Sequence, residues 1–203
     1  MLLCLVSQVN TQNRRYRAQQ SNLSQTEEIG NSHIIKVKVW VAISSQGTIL
    51  YEVLEEIQTA ETYLQLLQRQ LGMMDLQENY FQQDGAPIHT ANKVVKYLKS
   101  NYHHHWIGKK WGGEKEWAPR SPDLSPLDYF FWSYVQAQLL SHNLETKADF
   151  HNSLILEIPR VPKKMIQQAC SSIIKRCEKC IEKRGKSMGR SNNHSRDESL
   201  IHY

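Results

Sequence analysis

The stretch Tyr80-Phe81-Gln82-Gln83-Asp84-Gly85-Ala86-Pro87-Ile88-His89, answered further on by Trp117-Ala118-Pro119-Arg120-Ser121-Pro122-Asp123-Leu124-Ser125-Pro126-Leu127-Asp128, decides how this chain is read. Tyr80 and Phe81 favour a strand, and Gly85 with Pro87 forbids its continuation. Asp84 is therefore expected at the C-terminal rim of a strand, where open α/β sheets place ligand chemistry. In the second block Ser125 reads as a helix N-cap, Pro126 as the first helical residue, and Tyr129 to Tyr134 as the apolar body behind them. Asp128 then falls in the first turn.

Two carboxylates so placed can share a divalent cation if the fold brings them together. Mg²⁺ takes one or two carboxylates and completes its shell with water and substrate phosphate. A pair of such ions can clamp the attacking and leaving oxygens of a phosphodiester. Each residue also has a plainer reading. Ser-x-x-Asp before an apolar run is a capping-box variant, in which Asp128 only satisfies backbone N–H groups. Asp before Gly is a common turn pair.

Taken together, Gln-Gln-Asp-Gly-Ala-Pro-x-His, a basic helix, and Trp-x-Pro-Arg-Ser-Pro-Asp-Leu-Ser-Pro-Leu-Asp-Tyr-Phe-Phe-Trp resemble the catalytic core of mariner-like transposases. The resemblance implies an α/β, RNase H-like fold: a mixed sheet with an antiparallel hairpin and parallel strands, and helices on both faces. It implies three acidic residues that hold two Mg²⁺ or Mn²⁺ ions for DNA strand cleavage and joining, with Asp84 as the second acid and Asp128 as the third. It also implies DNA as partner (transposon ends and target), a homodimer as candidate assembly, and a nuclear location. Asp123 resembles a recurrent non-catalytic position. Between Asp84 and Asp128 lie 43 residues, and Lys109 to Glu116 is slightly long for the family.

The N-terminus departs from that pattern. Val9-Asn10-Thr11-Gln12-Asn13-Arg14-Arg15-Tyr16 resembles the segment just after the family's first acid, which would fall at or before Met1. No Asp or Glu precedes Glu27. The upstream helix-turn-helix domain that the family carries has no counterpart, so a fragment or a decayed copy, inactive as an isolated chain, is expected.

Composition agrees with a nucleic-acid partner. The 203 residues suit one ordinary α/β domain with appendages. Net charge is +5 and the pI is near 9.0, which favours a polyanion. The charge is uneven, because Arg160 to Arg190 holds ten Lys or Arg against Glu178 and Glu182. The expected organisation is a core over 1–158, a basic C-terminal helix packed on it over 159–184, and a disordered polar tail over 185–203.

Met1 to Val6 reads as a short buried strand, too short for a membrane span or a signal-peptide core. Ala18 to Ser32 is polar and reads as a loop. Val37, Val39 and Val41 alternate with Lys36, Lys38 and Trp40, the period-2 mark of a strand. Ser44-Ser45-Gln46-Gly47 supplies a turn, and Thr48 to Leu54 returns as a hairpin with Trp40 as a packing residue. Thr59 reads as an N-cap with Thr62 at N3, and Tyr63, Leu66, Leu67 and Leu71 share one helix face. Thr90 to Asn101 reads as a helix with Val94, Val95 and Leu98 inward. Its Lys93, Lys96 and Lys99 point outward, either as a solvated face or toward phosphates. Glu145 to Ile158 and Pro162 to Lys183 complete the helices.

His103-His104-His105 invites a metal reading, but no second His or Cys pair at zinc-finger spacing accompanies it, and Trp106-Ile107 is expected as the last core strand. His89 is expected near a helix start in a structural role, or as a polar neighbour of Asp84. Of Cys4, Cys170, Cys177 and Cys180, the Cys177-x-x-Cys180 pair lies inside an amphipathic helix whose apolar stripe is Ile166, Ala169, Ile173, Cys177 and Ile181, so reduced, buried, intracellular thiols are expected. Three readings of function follow: a metal-dependent DNA strand transferase, a non-catalytic nucleic-acid-binding relic, and a generic RNase H-like nuclease that recruits another acid such as Glu52.

Overall fold

The structure, a computed structural model, describes residues 2–10, 36–55, 59–72, 80–103, 105–109, 115–118 and 121–185, with the backbone alone for 2–10 and 115. The loop expected at 18–32, the tail over 186–203 and the Pro119-Arg120 pair lie outside these residues.

A six-stranded mixed sheet runs in the order β3-β2-β1-β4-β5-β6. Strand β1 is Leu2–Asn10, running four residues past the expected end at Val6, and it occupies the middle of the sheet. It pairs antiparallel with β2 (Lys36–Ser44) and parallel with β4 (Phe81–Gln83). The hairpin closes as expected: β2 pairs with β3 (Ile49–Leu54), and Gly47 supplies a positive φ of 84° in the turn. Strand β5 (Trp106–Gly108) lies parallel to β4. It is not the last strand, because β6 (Lys115–Glu116) adds a short parallel edge beyond it.

Burial departs from the half-exposed pattern that alternation in β2 implies. Val37, Val39, Val41 and Ile43 face one helical layer while Trp40 and Ala42 face the other, so the strand is covered on both sides. The first layer holds α3 (Trp132–Leu139), α4 (Lys147–Glu157) and α5 (Lys163–Ser171), with Phe131, Val135, Phe150, Leu154 and Ile166 in its core. The second holds α1 (Ala60–Leu71) and α2 (Asn92–Tyr102), with Tyr63, Leu66, Leu67, Leu71, Val94 and Leu98 against Phe81 and Trp106. Each buried leucine or phenylalanine contributes roughly 1.5–3 kcal/mol to this arrangement. The Thr59 cap forms as read, with Thr62 completing a reciprocal capping box. Helix α4 starts two residues later than expected because Thr146 and Asp149 form a second such box.

One expected helix is two. Pro162 to Lys183 breaks at Ser172 into α5 and α6 (Ile173–Glu182). The Ala169 carbonyl, which a continuous helix would offer to Ile173, instead accepts from the Ser172 N–H, the Ser172 hydroxyl at 2.8 Å and the Tyr129 hydroxyl at 2.6 Å. A Ser side chain competing for backbone partners is a known way to interrupt a helix. Of the stripe expected to be buried, Ile166 and Ala169 are buried, Ile173 and Cys177 are half-buried, and Ile181 on α6 is 77% exposed, as is Ile174 outside the stripe at 70%. Cys177 and Cys180 are half-buried, not buried, and both are free thiols, as is Cys170. Burial pushes the Cys170 thiol up to about 11, which makes it unreactive at neutral pH. No helix among the described residues is long and apolar enough to cross a membrane.

Candidate active site

Strands β1, β4 and β5 run parallel, so their C-terminal ends form one rim. Asp84 follows Gln83, the last residue of β4, and stands on that rim. Its Oδ1 accepts from the Ala86 N–H at 3.0 Å and from Nδ1 of His89 at 2.5 Å. The first bond is the Asx turn that an Asp-Gly-Ala-Pro sequence favours. The second comes from a fully buried ring that stacks on Tyr63, with centroids 4.5 Å apart. Gln83 closes the scaffold: its amide donates to the His89 carbonyl at 3.0 Å and accepts from the Tyr63 hydroxyl at 2.8 Å. The structural and the site-lining readings of His89 therefore coincide, since it is a core residue whose polar edge orients Asp84. Sequence reasoning missed Gln83 and Tyr63. The available signal was a glutamine inside an apolar strand, which needs buried partners.

Asp128 comes from the other layer. The helix containing it starts at Pro126, and the Ser125 carbonyl accepts from the N–H groups of Asp128 and Tyr129 at 2.9 and 3.0 Å. Its first turns are wider than an α-helix, forming a π-helical stretch over Leu127–Phe131 before α3. Such stretches occur often at functional sites. Leu127 and Phe131 sink into the first core layer, and the turn lies against β1. The capping-box reading of Asp128 does not hold in its simple form, because the Ser125 hydroxyl bonds to the Asp128 side chain rather than closing the helix end.

Electrostatics connects the two carboxylates. Burial disfavours the charge on Asp84, but the bond and charge of His89 and the Ala86 N–H outweigh it and hold the carboxyl below its usual range. Burial pushes Asp128 the other way, above that range; the Ser125 hydroxyl opposes the push and the negative charge of Asp84 adds to it. Asp84 ionises first, so the repulsion is felt at Asp128. Oδ2 of Asp84 carries no hydrogen bond among the described residues, and the Asp84 charge is felt at Asp128, a pair of carboxyls that a neighbouring positive charge would favour. Hard oxygen donors of this kind suit Mg²⁺ or Mn²⁺. Among the described residues no group of three His, Cys, Asp or Glu assembles around a metal position.

Other sequence candidates lie elsewhere. Glu52 is on the edge strand β3, where Arg69 holds it at 2.8 Å and Gln70 at 3.0 Å, with β2 and β1 between it and β4. Lys93 is paired with Glu61, whereas Lys96 and Lys99 are exposed. His103 ends α2 with a positive φ of 41°, His104 lies outside the described residues, and His105 packs edge-on against Tyr80. Asp123 sits in a 3₁₀ turn whose carbonyl accepts from Arg176 at 3.0 Å.

A mixed sheet between two helical layers, with one acid at the end of a parallel strand and another on a helical turn packed beside it, defines an RNase H-like α/β fold. The fold is that of the Mos1 mariner transposase catalytic domain. A structure of that domain with raltegravir and Mg is similar to this chain with a TM-score of 0.63 at 20% identity, covering 92% of this chain and 84% of that one. The crystal structure of the domain alone gives 0.60 at 24% identity over 75% and 76%. The Mos1 strand transfer complex gives 0.65 at 20% identity over 92% of this chain, which spans 55% of that longer one. No family model and no curated protein matches the sequence. The expected mariner-like core and its RNase H-like architecture are thus borne out in the fold.

Proposed function

We propose that this chain is the catalytic-domain portion of a mariner-like transposase that binds DNA and a divalent cation at the Asp84/Asp128 rim without cutting DNA on its own. The observation that carries the reading is that Asp84 stands at the end of β4 while the turn carrying Asp128 packs against the neighbouring strand β1, in a fold of the Mos1 catalytic-domain type. Asp84 and Asp128 are the residues that would hold Mg²⁺ or Mn²⁺. When bound, such an ion supplies charge neutralisation at a phosphate oxygen and lowers the pKa of bound water. His89 keeps Asp84 oriented and ionised, and Ser125 steadies Asp128.

Incompleteness is supported by the composition of β1. The strand beside β4 reads Leu-Leu-Cys-Leu-Val-Ser-Gln-Val-Asn and offers no carboxylate to the rim. Two side chains suit one ion better than the pair that clamps both oxygens of an in-line displacement. Solved Mos1 structures include complexes with Mg and Mn and paired-end complexes, which favours DNA, a divalent ion and a dimer for this chain too; a nuclear site of action is what this reading implies.

The test is incubation of supercoiled DNA with the protein and Mn²⁺, alongside Asp84→Asn. The expected result is DNA retention without nicking that depends on Asp84. Nicking by the wild type that disappears in Asp84→Asn contradicts the incomplete-site reading, and failure to retain DNA contradicts the transposase reading itself.

A further inference from the structure

One cation stands beside this rim without an assigned task. Lys109 follows Gly108, the last residue of β5, as Asp84 follows the last residue of β4. The β4–β5 register pairs Phe81 with Trp106 and Gln82 with Ile107, so two rungs further on Asp84 and Lys109 leave their strands side by side. The side chain does not turn into solvent at random. A Cβ built on Gly85 would stand 2.5 Å from Cδ of Lys109, 3.1 Å from its Cβ and 3.3 Å from its Cγ. The aliphatic stem therefore lies along the Gly85 backbone, in space that only glycine leaves open. Lys109 is exposed, and among the described residues it forms no ion pair with either carboxylate.

We propose that Lys109 is the phosphate anchor of this site: its stem is guided by Gly85 so that its ammonium group meets a backbone phosphate of the DNA strand lying over Asp84 and Asp128. This rests on the DNA-binding reading above. The arrangement answers an electrostatic problem, since a rim with two carboxylates repels a phosphodiester unless a positive charge stands close by. A divalent ion supplies part of that charge. Lys109 supplies a fixed part from the protein, and its long stem and compact ammonium group suit a phosphate met as a point charge. The Asp84-Gly85 pair then has two tasks, with the carboxylate facing the ion and the missing side chain seating the lysine.

The experiment measures binding of a fluorescent duplex across a salt series, in EDTA so that no metal bridge contributes, for wild type, Lys109→Met and Lys109→Arg. Methionine keeps the apolar stem over Gly85 and removes the charge, and melting curves check that the variants remain folded. Neutralising one duplex phosphate contributes about 0.9 to the slope of log K against log salt. Lys109→Met is expected to lower that slope by about 0.9, and Lys109→Arg to keep the wild-type value. Equal slopes for wild type and Lys109→Met would overturn the anchor while leaving DNA binding standing. A wild type that does not bind the duplex overturns both this inference and the reading beneath it.

Discussion

His89 and Asp84 are five residues apart and joined by a 2.5 Å bond from a fully buried imidazole to a rim carboxylate. The link turns the short motif around Asp84 into a device: the turn fixes the backbone, the histidine fixes the side chain, and Tyr63 fixes the histidine. Groups that orient a metal-binding carboxylate typically account for 10–100-fold in affinity. His89→Ala is therefore expected to weaken Mn²⁺ binding at least about tenfold, read by calorimetric titration. The change also empties a packed position, so His89→Gln, which keeps a donor, serves as comparison and is expected to lose less.

The two acids give opposite pH signatures. Asp84 sits below its ordinary value of 3.8, so the stability it contributes is present above that value and is lost as pH falls through its folded pKa. Asp128 sits above 3.8, so its contribution is present below 3.8 and is lost as pH rises through its folded pKa. At neutral pH the ionised Asp128 is thus a strain, which a cation bound at the proposed site would relieve. In EDTA, Asp128→Asn is expected to raise the melting temperature at pH 7 and to have less effect as pH approaches 3.8. Wild type is expected to gain stability from Mg²⁺ at pH 7 and to lose that gain on acidification. A melting curve series with and without Mg²⁺ checks both.

The C-terminal helix pair braces the Asp128 turn. Arg176 stands 3.6 Å over the ring of Tyr129, the residue after Asp128, and also donates to the Asp123 carbonyl. A cation–π contact of this kind is worth about 0.5–2 kcal/mol. A double-mutant cycle with Arg176→Gln and Tyr129→Leu, followed by urea denaturation, is expected to give a coupling energy of that order. Coupling indistinguishable from zero means α6 only leans on the site.

Helix α1 carries Tyr63 to its place behind His89, and Thr59 fixes where that helix begins. Thr59→Ala is expected to cost about 1 kcal/mol of stability. The measure is the urea midpoint, with the slope unchanged.

Much of this was legible in the residues because local and long-range preferences agreed. The β2–β3 turn, the Thr59 cap and the inward face of α1 all follow from patterns confined to a dozen residues. Asp84 at a strand end was legible for the same reason, since Gly85 and Pro87 allow nothing else. The break at Ser172 was not, because beside the local Ser172 hydroxyl it involves the hydroxyl of Tyr129, 43 positions away along the chain, on the same Ala169 carbonyl. The exposed Ile174 and Ile181 follow from that break, which turns α6 away from the core. Nor could spacing reveal that Ser125 would bond to the Asp128 carboxyl, or that Lys109 would lie on Gly85, since sheet register decides the second and a widened helical turn frames the first.

The central claim is that Asp84 and Asp128 hold one cation between them, and Mn²⁺ titration of wild type, Asp84→Asn, Asp128→Asn and the double variant tests it most directly. Two ligands of a single ion act as a unit, so each single substitution should remove the site and the double should bind no worse than the weaker single. If either single variant keeps the wild-type affinity, or if the two losses simply add, the carboxylates serve separate purposes and the account is wrong.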